Sequence, residues 1–132
     1  MAIVTKKSCP LAISVFSATP FESTLLEDTI KQRFSKAKIK RVVADRAYDS
    51  DPLDERLKKK GIELISPHKR NRRKKKTQDG RKLRHYRHRW TVERFFAWLH
   101  NYRKCVVRYE RKAENFQAFL YIAATLMLLR YF

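Results

Sequence analysis

Three features of the amino-acid sequence predict an α/β fold. Short apolar runs recur in the first half of the chain, a strand–helix–strand pattern spans residues 39–66, and helical periodicity dominates after residue 82. A strand, a helix and a second strand in close succession predict a βαβ unit with parallel strands. The chain has 132 residues, of which 43% are hydrophobic, so it can bury the core of a single domain or of part of one.

The N-terminal residues predict a β-hairpin followed by a helix. Residues 2–5 and 11–16 are apolar runs separated by the polar turn 6–8, as in two paired strands. A helix is predicted over residues 21–34, with Ser23 as a candidate N-cap.

The βαβ unit is marked by turn and capping residues. Residues 39–44 predict a mostly buried strand, and residues 62–66 predict a second strand that Pro67 ends. Between them, Ser50 or Asp51 can cap a helix that carries Pro52 in its first turn and ends at Gly61.

Beyond residue 68 the composition becomes strongly basic. Residues 69–89 contain twelve Lys or Arg among 21 residues, and Asp79 is the only acidic one. We therefore divide the chain into residues 1–68 (the hairpin and βαβ part), a flexible basic loop at 69–81, and C-terminal helices at 82–132. Two helices are predicted in this last part, from about Lys82 to Cys105 and from Ala113 to the C-terminus.

The net charge points to a polyanionic partner. The sequence has 32 Lys+Arg against 13 Asp+Glu, for a formal charge of +19. Nucleic-acid phosphates are the commonest neutralising partner, and a membrane surface is the alternative. Because the apolar stretch 116–132 is short and interrupted by Gln117, Thr125 and Arg130, it is read as a core helix and no membrane contact is expected. Cys9 and Cys105 form no C-x-x-C pair and are expected to be reduced thiols in a cytoplasmic protein.

Two groups of residues could carry chemistry. Asp45 directly follows the strand 39–44, where α/β sheets place their ligand sites; alternatively, Asp45 and Asp49 only form turn hydrogen bonds and Asp51 caps a helix. A helical spacing of three, four and seven residues would put four side chains on one face of a long helix; these are Tyr86, Arg89, Glu93 and His100. The simpler interpretation is an i, i+4 ion pair between Arg89 and Glu93.

Considered together, the two groups match the needs of two-metal phosphoryl chemistry. A carboxylate at a strand end and another on a facing helix can hold divalent cations beside a cationic surface.

The motifs resemble those of bacterial insertion-sequence transposases of the DDE superfamily, whose catalytic domain is RNase H-like. The block A-D-R-A-Y-D-S-D at residues 44–51 is similar to the family's block around its second catalytic aspartate, which gives that role to Asp45. The block Y-R-H-R-W-T-V-E-R-F-F-A-W-L at residues 86–99 resembles the family's Y-(2)-R-(3)-E signature, which includes Tyr86, Arg89 and the catalytic glutamate Glu93. The blocks T-Q-D-G-R-K-L-R and V-V-R-Y-E-R-K-A-E-N-F are also similar to family sequence.

The resemblance implies DNA transposition with Mg²⁺ (or Mn²⁺) as cofactor, held by Asp45 and Glu93. Water would cleave the element end, and the freed 3′-OH would attack target DNA. Tyr86 is expected either to contact a DNA phosphate or to pack beside the site, and Arg89 is expected to contact a DNA phosphate. The same role is expected for the cations of the basic segment, defined as residues 69–76: Lys69, Arg70, Arg72, Arg73, Lys74, Lys75 and Lys76.

The chain departs from the family pattern at two points. His100 stands where the signature continues with Lys or Arg, and the Asp-x-Thr setting of the first catalytic aspartate is absent. The expected fold is therefore an incomplete RNase H-like domain. Its expected partners are DNA and either an upstream-frame transposase half or a full-length transposase, in the bacterial cytoplasm and associated with the nucleoid. Oligomerisation stays open. A catalytically inactive DNA-binding remnant and a small basic RNA-associated protein are the alternative functions.

Overall fold

A computed structural model describes residues 1–75 and 80–130 of the chain. It is mixed α/β, and two short 3₁₀ segments, Arg46–Tyr48 and Arg84–Arg89, join longer elements. In chain order the strands and helices are β1 (Ala2–Val4), β2 (Pro10–Ile13), α1 (Glu22–Lys31), β3 (Arg41–Val43), α2 (Asp51–Lys59), β4 (Glu63–Ile65), α3 (Gly80–Leu83), α4 (Trp90–Leu99), α5 (Arg103–Val106) and α6 (Ala113–Leu129).

The chain divides into two compact units. The first unit comprises Met1–Thr19, Asp28–Lys36 and Trp90–Phe132, and the second comprises Pro20–Glu27 and Ala37–Arg89. Each unit contains its own two-stranded sheet. Helix α1 therefore contributes its first turns to the second unit and its last turns to the first.

The first unit has a core of side chains from the hairpin and the C-terminal helices. Strands β1 and β2 pair antiparallel, with Ala2 opposite Ile13, which confirms the predicted hairpin. Helices α4 and α6 bury their apolar faces against it. The buried residues of this core are Ile13, Phe95, Leu99, Cys105, Leu120, Ala123, Ala124 and Met127.

The second unit is the predicted βαβ arrangement. Strands β3 and β4 are parallel, in a register that sets Val42 beside Leu64. Helix α2 connects them and buries Leu53 and Leu57, which are 1% and 0% exposed. Ser50 occupies the N-cap position, and Gly61 leaves the helix with a φ of 71°, a left-handed conformation that glycine adopts without steric cost.

Several predicted boundaries need correction. The long helix from Lys82 to Cys105 is wrong, because α3, a 3₁₀ segment, α4 and α5 replace it. Residues 80–92 contain no carboxylate, so this basic stretch lacks the i, i+4 ion pairs that would support a continuous helix. Ser23 lies inside α1 and is not its cap. The predicted loop 69–81 ends earlier, since α3 begins at Gly80, and residues 76–79 lie outside the described residues.

Two further expectations concern the cysteines and the membrane. Cys9 and Cys105 are both free thiols, and burial raises the pKa of Cys105. None of the helices in residues 1–75 and 80–130 has the length and apolar character needed to cross a bilayer.

Candidate functional site

Asp45 lies at the carboxyl edge of the parallel β3–β4 sheet. It follows the last residue of β3 by two positions, and the Ala44 amide still pairs with the Ile65 carbonyl at 2.9 Å. The Asp45 Oδ1 atom accepts a hydrogen bond from the Ala47 amide at 2.8 Å and so caps the short 3₁₀ segment 46–48. This confirms the turn bond expected of Asp45. It leaves Oδ2 of the half-buried side chain as a potential ligand atom.

Tyr48 brings a second carboxylate close to Asp45. Burial raises the pKa of the Tyr48 hydroxyl, and the charges of Glu22 and Asp45 raise it further. Glu22 is the first residue of α1 and belongs to the same unit as Tyr48 and Asp45. The negative charges of Glu22 and Asp45 therefore both act on the Tyr48 phenol.

Asp49 does not form the local turn that was expected of it. Its side chain is 5% exposed and bonds to residues that follow β4. Oδ1 faces His68 Nδ1 at 2.9 Å and the Arg72 guanidinium at 3.0 Å, and Oδ2 accepts from the Lys69 amide at 2.8 Å. Burial alone would raise the pKa of Asp49, but the Lys69 amide, His68 and Arg72 together hold it below the ordinary value. Asp49 therefore stays ionised and attaches the start of the basic segment to the sheet edge.

Part of the basic segment is bound internally. Arg72 also donates to Asp51 at 2.7 Å, and Lys74 lies 3.4 Å from the other oxygen of Asp51. Asp51 is the first residue of α2 and not its cap. The Arg72 side chain is only 10% exposed, so its guanidinium is used mainly within the chain. The exposed cations of the described part of this segment are Lys69, Arg70, Arg73, Lys74 and Lys75. Lys76 lies outside the described residues.

Ion pairs attach residues 80–89 to the same sheet. Glu63, the first residue of β4, pairs with Lys82 and with Arg41 of β3, and these two cations lower its pKa in that order. Arg41 also contacts His85 at 3.1 Å. The signature residues Tyr86 and Arg89 follow in the same segment and belong to the second unit.

Tyr86 and Arg89 contact each other directly. The Arg89 guanidinium donates to the Tyr86 hydroxyl at 3.2 Å and lies 5.7 Å from the centre of its ring. The spacing of three residues aligns the two side chains because the segment is 3₁₀, where i and i+3 eclipse. Arg89 is exposed, and its orientation is therefore set by an aromatic neighbour.

Glu93 is an exposed residue in the first turn of α4 and belongs to the first unit, whereas Asp45 belongs to the second. His100 follows the last residue of α4, so the four signature positions do not share one helix as predicted. Within residues 1–75 and 80–130, no group of three or more His, Cys, Asp or Glu side chains is arranged to hold a metal ion.

The blocks around Asp45 and Glu93 agree with a comparison against known families. The model of the transposase DDE domain matches residues 1–128. The chain belongs to this family. It is also similar to the putative transposase for insertion sequence element IS402 of Burkholderia cepacia, with 40% identity over 86 residues. That stretch is 65% of this chain and 37% of the relative, so the chain spans well under half of the longer protein. No match was found among solved structures.

This transposase DDE domain contains contacts that sequence reasoning missed. Asp49 was expected to form a turn and Arg72 to bind DNA phosphates, yet these two residues and His68 form one network. Their sequence separation of about 20 residues carries no periodic signal. The one available clue was topological, since a residue after β3 and a residue after β4 share an edge when the strands are parallel.

Proposed function

We propose that this chain supplies two active-site carboxylates, Asp45 and Glu93, for DNA strand cleavage and strand transfer at the ends of an insertion sequence. The observation that carries the proposal is the transposase DDE domain match over residues 1–128, which includes both signature blocks. The position of Asp45 at the carboxyl edge of parallel strands supports it. The reaction is phosphodiester hydrolysis followed by attack of the freed 3′-OH on target DNA, and the domain is part of an RNase H-like fold.

The ligand chemistry of the two residues suits Mg²⁺ or Mn²⁺, because carboxylate oxygens are the hard donors these ions prefer. When bound, such ions stabilise charge on the attacking and leaving oxygens. The number of donors is insufficient, since the described residues include no cluster of three potential ligands. The proposal takes the further carboxylate from outside residues 1–132, with an upstream-frame half or a full-length transposase as the expected source.

Cationic side chains of the chain would bind the DNA backbone. Arg89, oriented by Tyr86, would contact a phosphate of the bound DNA. The exposed cations of the basic segment, Lys69, Arg70, Arg73, Lys74, Lys75 and the adjacent Lys76, would contact others. Arg72 would instead keep this segment against the sheet edge through Asp49 and Asp51. In the cell these contacts would keep the chain at the nucleoid.

A nicking assay tests the proposal. The purified chain is mixed with the polypeptide encoded upstream and with labelled DNA of the element end, with Mg²⁺ or Mn²⁺ present. We expect metal-dependent nicks that Asp45→Asn and Glu93→Gln each reduce by at least about a hundredfold, because each removes an anionic ligand. Asp28→Asn and Glu114→Gln are matched controls on exposed acids of α1 and α6, and they should keep wild-type rates.

Two outcomes would replace this proposal by another. Salt-sensitive DNA binding without nicking in the presence of the partner would identify a catalytically inactive DNA-binding remnant. Tighter binding to duplex RNA than to DNA at matched salt would identify a small basic RNA-associated protein.

A further inference from the structure

Helix α4 carries an arginine between two tryptophans. The Arg94 guanidinium carbon lies 4.0 Å from the ring centre of Trp90 and 5.8 Å from that of Trp98. The three residues are four positions apart, so they follow one another along the same helix face. Trp98 packs against the core of the first unit, and it anchors one side of the stack.

This arrangement leaves the hydrogen-bonding edge of Arg94 available. A guanidinium whose carbon lies over an aromatic ring can still donate from the N–H groups at its rim to oxygen acceptors. Arg56 and Arg108 differ in this respect: Arg56 bonds Glu27, and Arg108 bonds two backbone carbonyls. Among the described residues, no oxygen acceptor bonds Arg94, and its guanidinium contacts the two indole rings.

The exposure of Trp90 also indicates a binding role for this part of α4. Its side chain is 42% exposed at the start of α4, although a tryptophan gains most by burial. The ring holds a cation in place one residue after Glu93, on a chain of net charge +19. The planar guanidinium of Arg94, on a strongly cationic chain, suits hydrogen bonding to the oxygens of a phosphodiester.

We propose that Arg94, held by Trp90 and Trp98, is a DNA-phosphate-binding residue. The proposal rests on the proposed function, since it assumes that DNA is the ligand, and it adds a contact outside the basic segment and the Y-(2)-R-(3)-E signature. The tryptophans act as positioning residues, because they orient the guanidinium and lower the entropy that it loses on binding. The contact is sequence-independent, as is usual for phosphate recognition.

The first test measures binding of a fluorescein-labelled mixed-sequence DNA duplex across a salt series. Arg94→Gln should weaken binding about tenfold at the lowest salt and reduce the steepness of the log Kd against log salt plot by about one. Arg108→Gln removes the same charge from an internally bonded arginine and should leave the slope unchanged. Trp90→Leu keeps the charge and should weaken binding with little change in slope, and Trp90→Phe should restore part of the loss.

Intrinsic fluorescence gives a second readout, because Trp90 and Trp98 are the only tryptophans in the sequence. In a Trp98→Phe chain the tryptophan emission comes from Trp90 alone. Addition of DNA should change this emission when Arg94 is present, and should change it much less when Arg94→Gln is added.

The inference would be overturned if Arg94→Gln had the same salt slope and the same DNA-induced change in Trp90 emission as the chain with Arg94. The proposed function would still stand, because the chain would bind DNA without this contact. If the unsubstituted chain did not bind DNA at all, the proposed function itself would be overturned. Matched circular dichroism spectra establish that the variants fold.

Discussion

Asp49 is a carboxylate held almost entirely out of solvent within a strongly cationic chain. A buried ion is expensive unless it is fully hydrogen-bonded, and here a backbone amide, an imidazole and a guanidinium together satisfy it. The consequence reaches beyond Asp49 itself, because two of these donors lie in the basic segment. One acidic residue therefore fixes where a run of cations leaves the sheet.

We predict that Asp49→Asn lowers the free energy of unfolding by about 1–3 kcal/mol at neutral pH, because Arg72 loses a buried anionic partner. The pKa of Asp49 is lowered in the folded chain, so its stabilising effect is complete above the ordinary aspartate pKa and disappears as the pH falls through the lowered one. Thermal unfolding from neutral to acidic pH should show the curves of the wild-type chain and of the Asp49→Asn variant converging in acid.

Limited trypsin digestion complements the unfolding curves, and cleavage at residues 69–75 should become faster in Asp49→Asn. Asp28→Asn is the matched control, since Asp28 is 53% exposed in its pair with Lys31 and should change neither measurement appreciably. Equal stability of wild type and Asp49→Asn at neutral pH would contradict the assigned role of this carboxylate.

Helix α2 shows how local signals define an element. Ser50, Pro52 and Gly61 are each typical of their positions, and the observed helix begins and ends where they indicate. The glycines allow a direct test of one such signal. Gly61 has a φ of 71°, whereas Gly80, at the start of α3, does not have a left-handed backbone; a Cβ would meet no atom within 4 Å at either position.

Gly61→Ala should therefore lower the free energy of unfolding by about 1–2 kcal/mol, because an L side chain is strained in the left-handed region. Gly80→Ala adds the same methyl group without that strain and should be neutral or stabilising by up to about 1 kcal/mol. Urea unfolding with equal m-values in all three proteins measures the difference. An unchanged midpoint for Gly61→Ala would show that the turn relaxes around the new side chain.

The sequence predicted elements with such signals and failed where interactions are long-range. The hairpin, the βαβ unit and α6 follow from periodicity and turn residues. At residues 84–89 the absence of carboxylates was visible in the sequence, but the contacts of Lys82 with Glu63 and of His85 with Arg41 were not, because they join residues far apart in the chain. Asp45 could be placed at the sheet edge because it directly follows a predicted strand. The partners of Asp49 could not be predicted, because they lie about 20 residues away in the sequence. The stacking of Arg94 was not predicted, although the spacing of Trp90 and Trp98 was visible.

At the scale of the whole molecule, charge imbalance is the dominant property. With 32 Lys+Arg and 13 Asp+Glu, the cations exceed the acidic side chains by 19, although Glu27, Asp49, Asp51 and Glu63 each bind two or more donors. Pairs such as Glu27 with Arg56 and Lys60 involve cations about half exposed and contribute little at physiological salt. Repulsion within this excess of positive charge therefore opposes folding of the free chain.

We predict that the thermal unfolding midpoint of the free chain rises as NaCl is added to a low-salt buffer, because screening weakens the net repulsion more than it weakens a small number of ion pairs. A DNA duplex at about 100 times its Kd should add about 2.7 kcal/mol if it binds only the folded chain. Dextran sulfate at equal total charge is the control, because it neutralises the chain without presenting the regular phosphates of a DNA duplex. A surface that matches the spacing of phosphates along a duplex should give the larger increase with DNA. A midpoint that falls on adding salt would show that the carboxylate pairs, and not the repulsion, control the stability of this chain.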